Sequence, residues 1–321
     1  MRALIRTKPD NTLFLDLSHP EPTIADSPDC YIIQTKTVAL TRGELTWPEP
    51  HEPGTPVPGY DFAGVVIAAP NALRDKAFLP GSEVYGFTFP FNRKGNAREI
   101  TVADEEGIRL KPKTLSWEEA ASVPLSALTA WQGLFVHGRL SPPGTSSNAG
   151  KRVLVTAASG GVGVWAVQLA RQAGIEVVGT CGPSNLGFVL SLGADTVLDY
   201  TKTDLVVGVG EDRKRSFDVV LDCIGGQTLT EAWKLVKKNG IVISVAEPPD
   251  PKRPESGVAE GVKGVWFIVE ADRGQLGRIT ELIEQGKCKC QVDRVYELEE
   301  WREAFERLEE GHARGKVVLR M

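Results

Sequence analysis

The spacing of apolar residues changes character about halfway along the chain. Up to about residue 125 they come in short runs (Tyr31–Leu40, Ala63–Ala69, Glu83–Phe87 and Ala97–Val102) separated by glycine and proline. Runs of that length between turn residues predict an irregular all-β domain. The proline cluster from Pro48 to Pro58 leaves little room for a regular element and reads as a loop. Ser116-Trp-Glu-Glu119 has the capping-box pattern of a helix start, and Ser126 to His137 forms a second helical run. Pro142-Pro143-Gly144 through Gly150 reads as a surface turn. From Arg152 the pattern alternates β and α. Strands are expected at Val153–Thr156, Ile175–Gly179, Thr196–Leu198, Phe217–Asp222, Ile241–Val245 and Val265–Val269. Helices such as Asn185–Leu192 and Thr228–Lys237 lie between them, which predicts a right-handed parallel sheet. Thr203–Lys214 is weakly patterned and reads as a loose crossover, and Pro248 to Pro254 as a polar surface loop. Glu297–Glu310 is an acidic amphipathic helix followed by the strand Lys316–Arg320. There is no internal repeat.

One stretch organises the second half. Arg152 to Ala170 reads as strand, glycine turn and helix, and contains Ala158-x-Gly160-x-x-Gly163, a dinucleotide fingerprint with alanine in the first glycine place. Gly160 lets backbone N–H groups approach a pyrophosphate, and Gly163 lets the helix pack closely on the strand. The helix start adds unpaired N–H groups and about half a positive charge. Ser159, Gly160, Gly161, Val162 and Gly163 are therefore candidate cofactor residues. A tight βα turn that binds nothing is the plainer alternative.

Bulk properties narrow the class. At 321 residues the chain can form two domains with separate cores. It carries 37 basic and 42 acidic residues, a formal net charge of −5, and no Lys/Arg stripe, so a nucleic-acid partner is not expected. The start, Met1-Arg-Ala-Leu-Ile-Arg6, meets charge and then Pro9 too early for a signal peptide. Val153 to Ala170 is uncharged, but its three glycines and its polar residues argue for a folded turn rather than a membrane span. A soluble, cytoplasmic protein is expected. The five cysteines (Cys30, Cys181, Cys223, Cys288 and Cys290) are odd in number and make no disulfide framework. Cys288-x-Cys290 has no second pair to complete a zinc site, and reads as one surface face of a strand.

Several motifs, in this order, resemble the medium-chain dehydrogenase/reductase superfamily, and within it the zinc-free quinone reductase and enoyl reductase, zeta-crystallin-like branch. They are Val57-Pro-Gly-Tyr-Asp-Phe-Ala-Gly64, Ala120-Ala-Ser-Val-Pro-Leu-Ser-Ala-Leu-Thr-Ala-Trp131, the glycine turn, Leu192-Gly-Ala-Asp195, Phe217-Asp-Val-Val-Leu-Asp-Cys-Ile-Gly225 and Gly315-Lys-Val-Val-Leu319. The resemblance implies an α/β fold: a GroES-like irregular β domain plus a Rossmann doubly wound parallel-sheet domain. Its domains would be 1–126, completed by 271–321, and 127–270. The return of the C-terminus to the first domain is known only from the resemblance.

Zinc-dependent relatives place a Cys near position 41 and a His in Gly-His-Glu. Here the matching places read Ala39-Leu-Thr-Arg-Gly-Glu-Leu45 and Gly59-Tyr-Asp61. Catalytic zinc needs three protein ligands, and two of the expected three are missing. The four-cysteine structural-zinc loop is also missing around Phe89–Glu99, so no metal is expected. For the cofactor, a carboxylate binding the ribose 2′-hydroxyl would stand about twenty residues past the glycines. That place reads Val178-Gly-Thr-Cys-Gly182. Cys181-Gly-Pro-Ser-Asn185 resembles a 2′-phosphate loop, with Ser184 and Asn185 as donors and Tyr200 near the adenosine, so NADP(H) is favoured. A simple helix cap would also explain Ser184-Asn185. Val245, Phe267 and Ile268 match stretches that border the cofactor in relatives, although aromatic residues on an edge strand also serve packing or a dimer seam.

Hydride transfer to a carbon polarised by a carbonyl needs the two carbons about 3–3.5 Å apart, with water excluded. Thr129 matches a threonine beside the nicotinamide, or is a helix threonine bonded to its own backbone. Thr41 stands where many relatives have Asn, and Thr46 where a Tyr or Lys can meet the substrate carbonyl. Tyr60 could polarise a carbonyl or simply pack. Thr41, Tyr60 and Thr129 are the catalytic candidates, and water is a sufficient proton source.

The expected activity is NADPH-dependent, zinc-independent reduction of an enone, quinone or enoyl group. The alternatives are a trans-acting polyketide enoyl reductase on a carrier-bound acyl chain, a metal-free carbonyl or alcohol oxidoreductase, and an NADPH-binding scaffold without turnover. Expected partners are a small-molecule enone, quinone or acyl substrate, with a polyketide synthase carrier domain as an option, and neither nucleic acid nor membrane. A homodimer through the edge strand near Gly264–Val269 is a further option.

Overall fold

A computed structural model describes residues 1–7, 10–47, 57–70, 78–88, 95–202, 204–209 and 217–321. Nearly all of the proline-rich loop of 48–58, six residues of the 89–99 loop and half of the 203–214 crossover lie outside the described residues. The chain divides into two compact units, Met1–Leu128 with Val269–Met321, and Thr129–Ile268.

The first unit is β-rich. It begins with the antiparallel pair β1 (Ala3–Arg6) and β2 (Leu13–Asp16), then β3 (Tyr31–Leu40), β4 (Asp61–Ala68), β5 (Glu83–Phe87), β6 (Ile100–Ala103) and β7 (Ile108–Leu110). Helix α1 (Trp117–Ala121) follows its predicted cap: Glu119 N–H donates to Ser116 Oγ at 3.2 Å, and Ser116 N–H to Glu119 Oε2 at 2.9 Å. Helix α2 (Pro124–Trp131) begins with proline, whose missing N–H costs nothing in a first turn.

The second unit holds β8 (Arg152–Val155), α3 (Gly161–Gln172), β9 (Glu176–Cys181), α4 (Leu186–Ser191), β10 (Thr196–Asp199), α5 (Leu205–Val209), β11 (Phe217–Asp222), α6 (Gly226–Leu235), β12 (Val236–Ser244) and β13 (Lys263–Trp266). The chain then rejoins the first unit with α7 (Arg273–Glu284), β14 (Val292–Glu297), α8 (Trp301–Glu309) and β15 (Lys316–Arg320). Strand β15 pairs antiparallel with β3, Val317 opposite Leu40, and parallel with β14.

The mixed sheet of the first unit runs β14-β15-β3-β4-β5-β7, with β6 on β3. Its core gathers Leu4, Ile5, Tyr31, Ile33, Leu40, Phe62 and the inner face of α8 (Trp301, Ala304, Phe305 and Leu308). The sheet of the second unit is parallel throughout, in the order β10-β9-β8-β11-β12-β13. Fully buried strands such as Phe217–Asp222 explain why they read as unbroken apolar runs. The fold class is thus α/β, with an irregular β unit and a doubly wound parallel sheet.

Several predicted elements are corrected. The strand expected at Val265–Val269 stops at Trp266, because its partner β12 ends opposite, at Ser244. The strand expected from Ala97 starts only at Ile100, and the helix of Thr228–Lys237 occupies Gly226–Leu235, running straight into β12. The second helical run, Ser126–His137, is α-helical only to Trp131, and Gln132–His137 is a π-helical segment. Cys288 and Cys290 are not on a strand. Gly286, at φ +69°, turns the chain over the end of α7, where Lys287 and Cys288 N–H groups donate to Leu282 O, and Cys288 is buried. Helix α7 itself is unexpected from local preference, since it carries Gly274 and Gly277. A Cβ at Gly277 would come within 3.0 Å of the Arg109 guanidinium, so the space is already in use. Among the described residues no helix is long and apolar enough to cross a membrane.

Candidate functional site

The carboxyl edge of the parallel sheet brings most of the predicted cofactor residues onto one rim. After β8, Ala157 takes a left-handed φ of +48°, unusual for a residue with a side chain, and its carbonyl receives Gly160 N–H at 2.9 Å. Gly160 is then the N-cap of α3, with no side-chain cap, so the first-turn N–H groups lack intrahelical acceptors and remain potential donors. The two glycines differ. A Cβ on Gly163 would lie 2.2 Å from Ala157 O and 2.6 Å from Ala158 Cα, whereas one on Gly160 would meet only Ala157 O, at 3.3 Å. Gly163 is a packing requirement. Gly160 keeps open the ground above the helix start.

The neighbouring loop closes on the same turn. Asn185 Nδ2 donates to Ser159 Oγ at 3.3 Å. Ser184 sits exposed in a short 3-10 turn after Gly182, and Tyr200 is 57% exposed. A Cβ on Gly182 would lie 3.5 Å from Tyr200 Oη, which puts the phenol over the end of β9. One carboxylate stands beside that end, Asp199, in register with Cys181 on the neighbouring strand. It is engaged by Thr201, accepting from its N–H at 3.0 Å and its O–H at 2.7 Å, bonds that hold it below the usual carboxylate range. Cys181 is buried, and burial pushes its thiol up to about 11, so only its backbone is available to a ligand. Ser159, the glycines, Ser184, Asn185 and Tyr200 could hold a pyrophosphate and a 2′-phosphate; the donors fit both.

The middle of the rim is knit around Asp222, to which sequence reasoning gave no role. Asp222 is fully buried at the end of β11 and accepts from Thr156 Oγ1 (3.0 Å), Ser244 Oγ (3.0 Å), Gly225 N–H (2.9 Å) and Ile224 N–H (3.3 Å). Thr156 Oγ1 in turn accepts from Cys223 N–H at 2.8 Å. This network fixes the ends of β8, β11 and β12 against each other. Val245 follows directly, its N–H on Asp222 O at 3.0 Å. Phe267 and Ile268 lie just past β13, and the Phe267 ring rests 4.3 Å from His137 on the π-helical segment. Thr129 is buried, three residues before that segment. π-Helical insertions often mark functional positions.

In the first unit the structure joins Thr41 to groups far away in sequence. Thr41 follows β3, and Lys316 at the start of β15 donates from Nζ to Thr41 Oγ1 at 2.7 Å. Lys316 Nζ also lies 3.0 Å from Asp61 Oδ2, an ion pair with side-chain exposures of 5% and 0%. The other Asp61 oxygen accepts Leu125 N–H at 2.6 Å, where the positive end of α2 favours an anion. Glu44, also buried, accepts from Thr41 N–H at 3.3 Å and Gly59 N–H at 3.1 Å. Burial pushes the Glu44 carboxyl up to about 8, against the pull of Lys316, and burial raises Asp61 as well. Gly59 is required: its φ is +77°, and a Cβ there would strike Val38 Cγ1 at 2.3 Å.

The other candidates in this unit have different employment. Tyr60 is buried and stacked on Trp47, with centroids 5.9 Å apart and planes 12° apart. Thr46 donates its hydroxyl to Gly43 O at 2.9 Å, closing a local turn. The sequence signal for the buried cluster was present in Gly59-Tyr-Asp61 and Gly315-Lys316, but nothing local says that the two meet.

Zinc does not fit these residues. Among the described residues no group of three or more His, Cys, Asp or Glu could hold a metal ion. Beside Thr41 the two carboxyl groups are committed to N–H groups, and Asp61 also to the Lys316 ammonium.

Known proteins place the chain. Residues 192–319 match the profile of the zinc-binding dehydrogenase family. A probable zinc-binding oxidoreductase, mitochondrial, of Arthroderma benhamiae is 42% identical over 100% of this chain and 96% of its own length. An NADPH-dependent alkenal/one oxidoreductase, chloroplastic, of Arabidopsis thaliana is 34% identical over 82% of this chain and 63% of its own. The quinone oxidoreductase of Coxiella burnetii superposes with a TM-score of 0.84 at 25% identity, covering 100% and 99% of the two chains. The chain belongs to the zinc-binding dehydrogenase family of the medium-chain dehydrogenase/reductase superfamily. It is an oxidoreductase of the quinone/alkenal reductase type, in a family that uses NAD(P)H.

Proposed function

We propose that this chain is an NADPH-dependent, zinc-independent reductase of conjugated C=C bonds or quinones. The observation that carries this reading is the cation at Thr41: it is a lysine ammonium already held by Asp61, not a set of metal ligands. Alcohol oxidation needs a group that takes up the hydroxyl proton, which zinc or a suitably tuned base supplies. Neither Thr41 nor Tyr60 is such a base. Enone or quinone reduction asks only for donors that stabilise an oxyanion. The names of the Arabidopsis and Coxiella relatives point to the same substrate classes.

The bound nicotinamide supplies the hydride. Gly160 to Gly163 would hold the pyrophosphate by N–H groups, while Ser184, Asn185 and Tyr200 would receive the 2′-phosphate. Val245, Phe267 and Ile268 would border the cofactor, and Thr129 would orient it. Thr41 donates to the substrate oxygen as negative charge builds there, and water returns the proton. The edge of β13, where Trp266 is 45% exposed, would offer a second copy of the chain a strand to pair with near Gly264–Val269; light scattering on the purified protein checks that assembly. The cytoplasmic expectation stands against relatives whose names print mitochondrial and chloroplastic, and imaging of the tagged full chain decides it.

Purified protein with NADPH is expected to reduce a panel of quinones and α,β-unsaturated ketones, giving saturated ketones rather than allylic alcohols, and a chelator should leave the rate unchanged. Faster turnover of simple alcohols with NADP⁺ than of any enone would overturn the reading.

A further inference from the structure

We infer that Lys316 is a positioning residue that turns Thr41 into a strong hydrogen-bond donor, so that the pair, rather than Thr41 alone, supplies the oxyanion stabilisation. This rests on the functional reading above and names the groups behind it. An ammonium has three protons and no acceptor, so in the 2.7 Å contact Thr41 Oγ1 must accept. The threonine's own hydrogen is then left over, and it has no acceptor among the described residues. A hydroxyl that accepts from a cation is polarised and donates more strongly.

The surroundings hold this arrangement in one orientation. Asp61 holds the ammonium at 3.0 Å, and is itself fixed by Leu125 N–H. Glu44 fixes the Thr41 backbone through its N–H. Lys316 cannot swing into solvent, since its side chain is only 5% exposed, while Thr41 is half-buried at the border of the cluster. A buried ion pair is a weak contributor to stability, often replaceable by apolar residues of similar volume. Holding a threonine hydroxyl as a directed donor gives this pair a use that stability alone does not.

The chemical step balances without any change at Lys316. Two electrons arrive with the hydride at the β-carbon, the C=C pair shifts, and the carbonyl oxygen becomes an enolate oxygen. The Thr41 O–H hydrogen-bonds that oxygen while Lys316 N–H remains on Thr41 Oγ1. Protonation of the α-carbon by water completes the saturated ketone, leaving hydroxide that takes up a solvent proton.

The test combines kinetics with a ligand that needs no turnover. Thr41→Val and Lys316→Met should each lower kcat on an enone by about 10²-fold, the loss typical of an oxyanion donor. NADPH affinity, read by fluorescence, should stay within about twofold, and Thr41→Ser should restore most of the rate. The double variant Thr41→Val/Lys316→Met should be no slower than either single one, because the two act as a unit. Since Lys316→Met leaves Asp61 without its cation, Lys316→Met/Asp61→Asn, which removes both charges, is measured beside it and should be folded and equally slow. A nitrophenol, whose phenolate absorbs apart from its phenol, serves as an enolate mimic. It should bind the wild type as phenolate, and about tenfold more weakly to Thr41→Val and to Lys316→Met/Asp61→Asn. A folded Lys316→Met/Asp61→Asn protein with wild-type kcat and wild-type phenolate binding overturns the inference while leaving the reductase reading intact. A wild type that binds NADPH but reduces no enone or quinone overturns both.

Discussion

Asp61 and Asp222 invite comparison because each is a fully buried aspartate at one end of a strand, and burial raises the carboxyl of both. Asp222 is surrounded by neutral donors, two hydroxyls and two N–H groups. Asp61 has one N–H and an ammonium. The first arrangement spreads a charge over dipoles and holds three strand ends in register. The second pairs a charge with a charge, and leaves the cation a further contact with a hydroxyl. Two aspartates of similar depth therefore do different work: one shapes backbone, the other positions a polar side chain.

Removing the carboxylates should expose the difference most strongly. Asp61→Ala takes the ion-pair partner from the buried Lys316 ammonium, and should cost roughly 3–5 kcal/mol in denaturant unfolding. Asp222→Asn keeps the shape and some of the acceptors, and should cost about 1–3 kcal/mol. Equal losses at the two positions would mean that the ammonium at Asp61 matters no more than a neutral donor.

Acidity offers the next lever. Glu44 ionises near 4.5 in the unfolded chain and at about 8 when folded. Between those values the folded state holds a proton that the unfolded state has lost, so raising the pH favours unfolding. This contribution to stability is therefore fully present below pH 4.5, falls by about 1.4 kcal/mol per pH unit, and levels off above about 8. Asp61 and Asp222 shift the same way and Asp218 and Asp293 the opposite way, so the measurement is a difference. Subtracting the unfolding free energy of Glu44→Gln from that of the wild type, from pH 5 to 8, should leave that downward slope. A flat difference would show Glu44 ionised throughout.

The same contrast explains what the sequence disclosed. The cofactor rim was legible because its parts are local: β8, the glycine turn and α3 occupy one continuous stretch, and each glycine there answers to a backbone need. The mixed sheet was legible only in its longer apolar strands. Strand β14 is polar and partly exposed, and α7 hides behind two glycines, so neither leaves a clear period. Asp61 and Lys316 stand 255 positions apart in number and meet only because β15 pairs with β3, beside β4. Nothing in either segment alone encodes that meeting, although both stood within motifs that the resemblance had marked. Thr41 was identified by position in the family, but its partner was not.

Within the rim, the two glycines can be separated by one methyl group each. Gly163→Ala forces a Cβ onto Ala157 O and Ala158 Cα and should cost about 1–3 kcal/mol of stability as α3 is pushed off β8. Gly160→Ala meets only one atom, at 3.3 Å, and should leave the melting temperature nearly unchanged while weakening NADPH severalfold. Thermal melting beside fluorescence titration reads both. If Gly160→Ala destabilised the protein as much as Gly163→Ala, the open ground above the helix start would be needed for folding rather than for a ligand.

The smallest expected effect concerns the choice between cofactors. NADPH should bind the wild type at least about tenfold more tightly than NADH, a difference of about 1.4 kcal/mol, because the end of β9 offers hydroxyl and amide donors and its neighbouring carboxylate, Asp199, is engaged by Thr201. Introducing a carboxylate there should reverse the preference, but the position matters. Gly179 faces inward from the middle of β9, where a Cβ would meet Ala158 Cβ at 2.9 Å and Val189 Cγ1 at 3.0 Å, so an acid at that place would disrupt packing before it met a ribose. Gly182 follows the strand, has an ordinary extended backbone (φ −74°, ψ 164°), and the nearest atoms to its Cβ would be those of the Tyr200 phenol, at 3.5 Å or more. Gly182→Asp can accept from a ribose 2′-hydroxyl and repels a 2′-phosphate, which should weaken NADPH by about tenfold or more and leave NADH equal or tighter. Titrating both reduced cofactors into both proteins at fixed ionic strength decides it. If the wild type bound the two equally, the donors Ser184, Asn185 and Tyr200 would be a capping arrangement and no phosphate site, and Gly182→Asp would have nothing to reverse.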